Sequence, residues 1–261
     1  MLKQCDNSWK DSIYEYIGNK YSECLYLYIN LQKYGLDNNN FHIWVSLDEN
    51  SRIRALIARY YTGVHIYCNS SDYLIDDILE FIQKNKPSII TATGKIIKNI
   101  EEFCLGYTAE YGSVGQIKSV PAIDTSMVEK ASIDDMNEIS RLLISDEGLG
   151  DHYNQQLLEH QLKERLTEGY GRNYIIKKEN AIISHCATYA EIRQIGVTSG
   201  VFTKPEERGK KLAYRTYCQL CSDLLEEGKE VFAYYYTNQA HKMHEKLGFE
   251  IISSWAKLVK R

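Results

Sequence analysis

One order of patterned segments runs twice along this chain, and a duplicated order confines it to two copies of one architecture. Residues 9–17 and 22–34 carry helical patterning, 41–47 and 53–61 read as a hairpin about Asp48, Glu49 and Asn50, and 64–68 as a further strand. A long helix over 72–84 places Leu74, Ile75, Ile78, Leu79 and Ile82 on one face, and Pro87 ends it. A strand at 88–92, a helix at 95–103 and irregular strands to residue 120 close the first half.

The second half follows the same course. Ser132 with Asp135 marks a helix start, Ile133, Met136, Ile139, Leu142 and Leu143 form its stripe, and Gly148 and Gly150 interrupt it. A second helix over 153–168, a hairpin of 173–177 and 181–190, a strand over 195–203, and a long helix stopping at Gly228 come next. A strand through Tyr234, Tyr235 and Tyr236, another helix and a closing strand complete it. Pro121 to Ser126 joins the halves, which predicts domains at 1–121 and 122–261. The fold class is α/β: two tandem domains, each a mixed, mostly antiparallel twisted sheet flanked by helices.

Composition narrows the partners. The formal charge of -4 and the lack of a long Lys/Arg run disfavour a nucleic acid, whose phosphates need a positive stripe. No stretch of roughly 18 apolar residues is present to span a membrane, and Asp6, Asn7 and Asp11 break any signal-peptide core, so a cytoplasmic location is expected. Seven cysteines, an odd count, suit reduced thiols; Cys218 and Cys221 share a helix face without a second ligand pair, and no metal is expected.

The halves differ where strand meets long helix. In the first this junction reads Asn69-Ser70-Ser71-Asp72; in the second it is Val201-Phe202-Thr203-Lys204-Pro205-Glu206-Glu207-Arg208-Gly209-Lys210-Lys211-Leu212-Ala213, basic and glycine-bearing. Arg208, Lys210 and Lys211 sit at the positive end of the following helix, while Asp223, Glu226 and Glu227 sit at its negative end. An anion resting on the free amides of that helix start accounts for the cations; solvated lysines are the plainer alternative.

Arg208-Gly209-Lys210-Lys211-Leu212-Ala213 resembles the pyrophosphate loop of the GNAT superfamily, Gln/Arg-x-x-Gly-x-Gly/Ala, with Lys211 in place of the central glycine. Residues 234–250, ending Gly248-Phe249-Glu250, resemble the family's fifth strand, its following helix and the closing Gly-Phe. The resemblance covers roughly residues 127–261; for the first half it is architectural, a degenerate GNAT-like copy. It implies an acyl-CoA-dependent N-acyltransferase that uses acetyl-CoA and passes an acetyl group directly to the amine of a small molecule or peptide, with a homodimer left open. A non-catalytic acyl-CoA-binding or protein-interaction module is the alternative.

The same resemblance implies that Val201, Phe202 and Thr203 bind the pantetheine arm, with backbone groups of Val201 and Thr203 pairing its amides. It implies that Arg208, Gly209, Lys210, Lys211, Leu212 and Ala213 hold the diphosphate. Asn238 is either a cofactor contact or a helix N-cap. His244 occupies the position of a tyrosine that protonates the departing thiolate in many members, and is either a substitute acid or a packing histidine. Glu191 is the candidate base, with His185 a weaker one, and a solvated acid is the alternative for Glu191. The tyrosine run 234–236 reads either as strand packing or as the wall of an acceptor pocket.

Overall fold

The computed structural model describes residues 1–145 and 154–261. The interruption expected at Gly148 and Gly150 and the helix start expected at residue 153 lie outside the described residues. The chain forms two compact units, 1–114 with 235–237 and 251–261, and 115–234 with 238–250.

In the first unit β1 (Leu2–Gln4), β2 (Phe41–Leu47), β3 (Ile53–Tyr60), β4 (Gly63–Tyr67) and β5 (Ile89–Ala92) lie in that order, accompanied by α1 (Lys10–Ile17), α2 (Leu25–Tyr34), α3 (Ile75–Asn85) and α4 (Gly94–Ile100). Pairing is antiparallel except between β4 and β5. Alternate residues of β3 feed two cores: Ala55 and Ile57 join Ile78, Phe81 and Ile97, while Leu56 and Ala58 join Ile13, Ile17 and Leu31. A strand covered on both faces reads as a continuous apolar run, and each buried Ile or Leu contributes about 1.5–3 kcal/mol. A long strand, β6 (Tyr107–Ile117), follows α4.

The second unit carries β7 (Glu129–Lys130), α5 (Met136–Ile144), α6 (Gln155–Thr167), β8 (Asn173–Lys178), β9 (Ala181–Glu191) and β10 (Ile195–Thr203). These are followed by α7 (Leu212–Glu226), β11 (Glu230–Tyr235) and α8 (Asn238–Leu247). Its strands are ordered β11-β10-β9-β8-β7, with β10 and β11 parallel and the rest antiparallel. Ser132 and Asp135 form the expected capping box, and Asn154 Oδ1 caps α6 by accepting from the amides of Gln156 and Leu157 at 3.0 and 3.2 Å. Met136, Ile139, Leu143, Leu158 and Leu162 pack on Ile175, Ile182 and Phe202, joining the helical layer to the sheet.

The last strand departs from the predicted boundary. β12 (Glu250–Lys260) runs antiparallel to β5, with Ala256 opposite Ala92 and Leu258 opposite Ile90. Residues 251–261 therefore belong to the first unit, although the sequence assigned them to 122–261. Burial of Ala256 and Leu258 in the core of β5, α3 and α4 decides the placement. Among the described residues no helix is long and apolar enough to cross a membrane.

Candidate functional site

The site begins where β10 parts from β11. Pairing holds from Ile195 opposite Glu230 to Thr198 opposite Ala233 and then stops, so Ser199 to Thr203 keep β9 alone as a strand partner. A bulge separates Ser199 from Phe202, with Gly200 at φ +63. The Lys204 amide donates to the Ile183 carbonyl on β9 at 3.0 Å. Because peptide groups alternate edges along a strand, those of Thr203 and Val201 turn to the other edge. Phe202 is buried between α5 and the sheet and anchors the strand.

Beyond Thr203 the chain makes a single 3-10 turn, Pro205–Glu207, and enters α7 through two left-handed residues, Gly209 at φ +82 and Lys211 at φ +61. Among the described residues no backbone or side-chain acceptor takes the amides of Gly209, Lys210, Lys211, Leu212, Ala213 or Tyr214; the first helical bond is Arg215 N–H to the Lys211 carbonyl, 3.0 Å. A run of unpaired N–H groups at the positive end of a 15-residue helix is an anion cradle, which is the chemistry a CoA diphosphate requires. The left-handed backbone the motif gives to glycine is here imposed on Lys211.

The side chains around the cradle are not all available. Glu207 is buried and held between Lys178 and Lys210, at 2.9 and 2.5 Å, and these partners, Lys210 first, keep its carboxyl below the usual range. Lys210 is thus neutralised within the turn, while Arg208 Nε donates to the Thr203 carbonyl at 3.2 Å and braces the strand end. The acids at the far end of α7 have tertiary reasons to be there: Asp223 bonds Tyr174, Gln219 and Lys130, and Glu227 bonds Arg172. The charge pattern read from sequence therefore has two separate causes.

Glu191 stands away from the parted strands, opposite Gly196 near the start of β10. It is 4% exposed, bonded by both Nε and Nη2 of Arg172, by Thr188 Oγ1 at 3.0 Å, and approached by Lys229 Nζ at 3.5 Å. A carboxylate whose two oxygens are committed to cations is a structural ion pair, neither the base nor the solvated acid that its position suggested. His185 is fully buried, and its Nδ1 donates to the Gly200 carbonyl at 2.6 Å, so the ring holds the bulge.

His244 is also buried. The Ala240 carbonyl, which only accepts, lies 2.7 Å from Nδ1 and fixes the proton there; Nε2 then accepts from the Tyr217 hydroxyl at 3.0 Å. Tyr217 in turn meets Thr198 Oγ1, at the last paired residue of β10. Burial pushes the imidazole down to about 4, so it is neutral near pH 7 and has no Nε2 proton to lend. The packing reading of His244 describes this geometry: α8 is tied through Tyr217 to the point where the strands part.

Asn238 is exposed and is the first residue of α8, not the residue before it. Tyr236 stacks on Trp255 with ring centroids 6.1 Å apart, under Lys257 Nζ at 4.4 Å. Cys218 and Cys221 are buried on α7, and burial raises both thiols, Cys218 to about 11. Sequence reading overlooked Gly200 and Tyr217. An isolated glycine inside a strand pattern is a recognised bulge signal; nothing in sequence pointed to Tyr217.

The GNAT acetyltransferase family model matches residues 151–258. The second half of this chain is therefore similar to a GNAT domain. Solved structures extend the likeness over both halves. The chain is similar to a GCN5-related N-acetyltransferase from Sphaerobacter thermophilus (12% identity, 100% of this chain and 95% of that one, TM-score 0.67). It is also similar to a GCN5-related N-acetyltransferase-like protein from Streptococcus suis (16%, 97% and 99%, 0.60). A third likeness is to a tandem GNAT protein from the clavulanic acid biosynthesis pathway (11%, 99% and 98%, 0.63). At such identities the shared property is the fold, a tandem GNAT arrangement. No curated protein matches the sequence.

Within the tandem GNAT fold, the first half's counterpart of the cradle is filled by its own side chains. Lys20 Nζ donates to the Asn69 carbonyl at 2.9 Å, the Asn69 amide donates to Tyr16 Oη at 3.2 Å, and Arg54 pairs with Asp72 at 2.9 Å. Asp76 and Asp77 occupy the first turn of α3, where they satisfy the dipole and repel a phosphate.

Proposed function

We propose that the GNAT domain is an N-acetyltransferase that takes an acetyl group from acetyl-CoA and delivers it to a primary amine. The observation that carries this reading is the meeting of two features along residues 199–214: a strand edge released from β11 after Thr198, and the row of unpaired amides from Gly209 to Tyr214. The edge peptide groups of Val201 and Thr203 suit an arm with alternating amides, as an added strand would. The helix start suits the diphosphate, with the exposed Lys211 ammonium adding charge.

Acetyl-CoA supplies an acyl group already activated as a thioester. The chain's residues bind and align: Arg208 holds the strand end, His185 sets the bulge through Gly200, and Tyr217 with His244 fixes α8. With Glu191 and His185 both committed, removal of the ammonium proton falls to solvent, and the rate rises with pH toward the amine's own pKa of about 10.4.

A second reading, a CoA-binding module without turnover, is favoured by those same two committed side chains. Calorimetry with CoA, followed by free-thiol release from acetyl-CoA against pooled primary amines, separates the two. Gly209→Pro forces φ to about −65° and removes an amide, so binding is expected to vanish. Retained affinity in that variant defeats both readings; binding without thiol release leaves the module.

A further inference from the structure

The first unit carries two adjoining grooves that no part of the proposed reaction uses. One, of about 370 Å³, is lined by Ile82, Phe103, Cys104, Leu105 and Tyr107. The other, of about 340 Å³, is lined by Arg59, Thr62 and Ser88 among other residues, and Lys86 and Lys260 line both. Among the described residues no Asp or Glu lines either groove. We propose that this pair of grooves binds an amphipathic carboxylate, with its hydrocarbon chain against Phe103 and Leu105 and its head group among Arg59, Lys86 and Lys260.

Two observations support the apolar end. Leu105 is 90% exposed and Phe103 52% exposed, side by side with the buried Ile82 and Cys104. Covering such exposed apolar surface with a hydrocarbon recovers about 25 cal/mol per Å². The volume lies within the roughly 300–1,000 Å³ of small-molecule sites.

The polar end is distinguished by uncompensated charge. Among the described residues none of the three cations pairs with a carboxylate, and Arg59 donates to the neutral Asn85 Oδ1 at 3.5 Å. Lys86, the left-handed C-cap of α3, complements the helix dipole. Arg59 from β3 and Lys260 from β12 have no such reason to converge. Three cations beside hydroxyls and an apolar floor match an anion with a hydrocarbon tail better than a neutral ligand or a free inorganic ion.

The test titrates the full chain with sodium decanoate, observed by amide chemical shifts, with decanol and acetate as the uncharged and tail-less arms. Decanoate is expected to bind saturably, with decanol and acetate at least about tenfold weaker. Lys86→Glu and Leu105→Asp, both at exposed positions, are each expected to weaken decanoate about fivefold or more, with melting temperature preserved. Lys260→Glu repeats the charge test should the left-handed Lys86 position not tolerate change. Non-saturable decanoate shifts, equal affinity for decanol, or affinity unmoved by these substitutions would each overturn the proposal.

Discussion

Gly200→Ala and Gly209→Ala form a comparison in which backbone strain is common and surroundings differ. Both glycines have positive φ, +63 and +82, so alanine at either pays the left-handed penalty of roughly 1–2 kcal/mol, lessened by a stiffer unfolded chain. A Cβ at Gly209 meets nothing within 4 Å. At Gly200 it would lie 3.1 Å from His185 Cε1 and 3.5 Å from Nδ1. That ring is held in place, because it is fully buried and Nδ1 donates to the Gly200 carbonyl at 2.6 Å. Overpacking adds about 1–3 kcal/mol, which brings Gly200→Ala to about 2–4 kcal/mol against about 1 for Gly209→Ala. Urea unfolding of both variants gives the difference, and repeating Gly200→Ala in a His185→Ala background isolates the ring as its cause. The reasoning fails if the two alanines cost the same, or if the excess survives removal of the imidazole.

Three further outcomes follow from the same contacts. Lys211→Gly is expected to raise stability by about 0.5–1 kcal/mol in a thermal melt, since it relieves φ +61 at a side chain with no partner among the described residues; a lower melting temperature would contradict the left-handed assignment. His65, His185 and His244 are buried neutral and held down to about 4 from 6.5, so their stability is fully present above pH 6.5 and is lost as pH falls toward 4. The loss reaches about 3 kcal/mol each, and urea midpoints that stay level from pH 7 to about 4.5 would rule it out. Glu191→Ala leaves Arg172 with Glu227 as its remaining carboxylate and is expected to cost about 1–3 kcal/mol while leaving turnover per folded molecule unchanged; a stable variant with abolished turnover would restore Glu191 as the base.

Some of the site was legible because it is local. The turn from Lys204 to Leu212 combines a proline, a glycine and a helix start, and such signals act within a few residues, so the free amides were predictable from the order of side chains alone. The proton-transfer residues were not. Glu191 was chosen by its place at a strand end and His244 by the position it shares with the family's tyrosine, yet what they do depends on Arg172, nineteen residues before one, and Tyr217, twenty-seven before the other. The same holds for Asp223 and Glu227, whose apparent misplacement on the helix dipole disappears once Lys130 and Arg172 are beside them.

By itself the sequence determined the succession of helices and strands in each half, the apolar faces that drive them together, and the basic, glycine-bearing junction between strand and long helix in the second half. These follow from periodicity, capping and turn chemistry, all short-range properties of a chain. Only the tertiary structure decided that the final strand joins β5 in the first unit, that Lys211 takes the conformation of a glycine, and that the two ionisable candidates are already spoken for. Each of those turns on which distant group fills a given space or shares a given proton, and neither composition nor spacing records that.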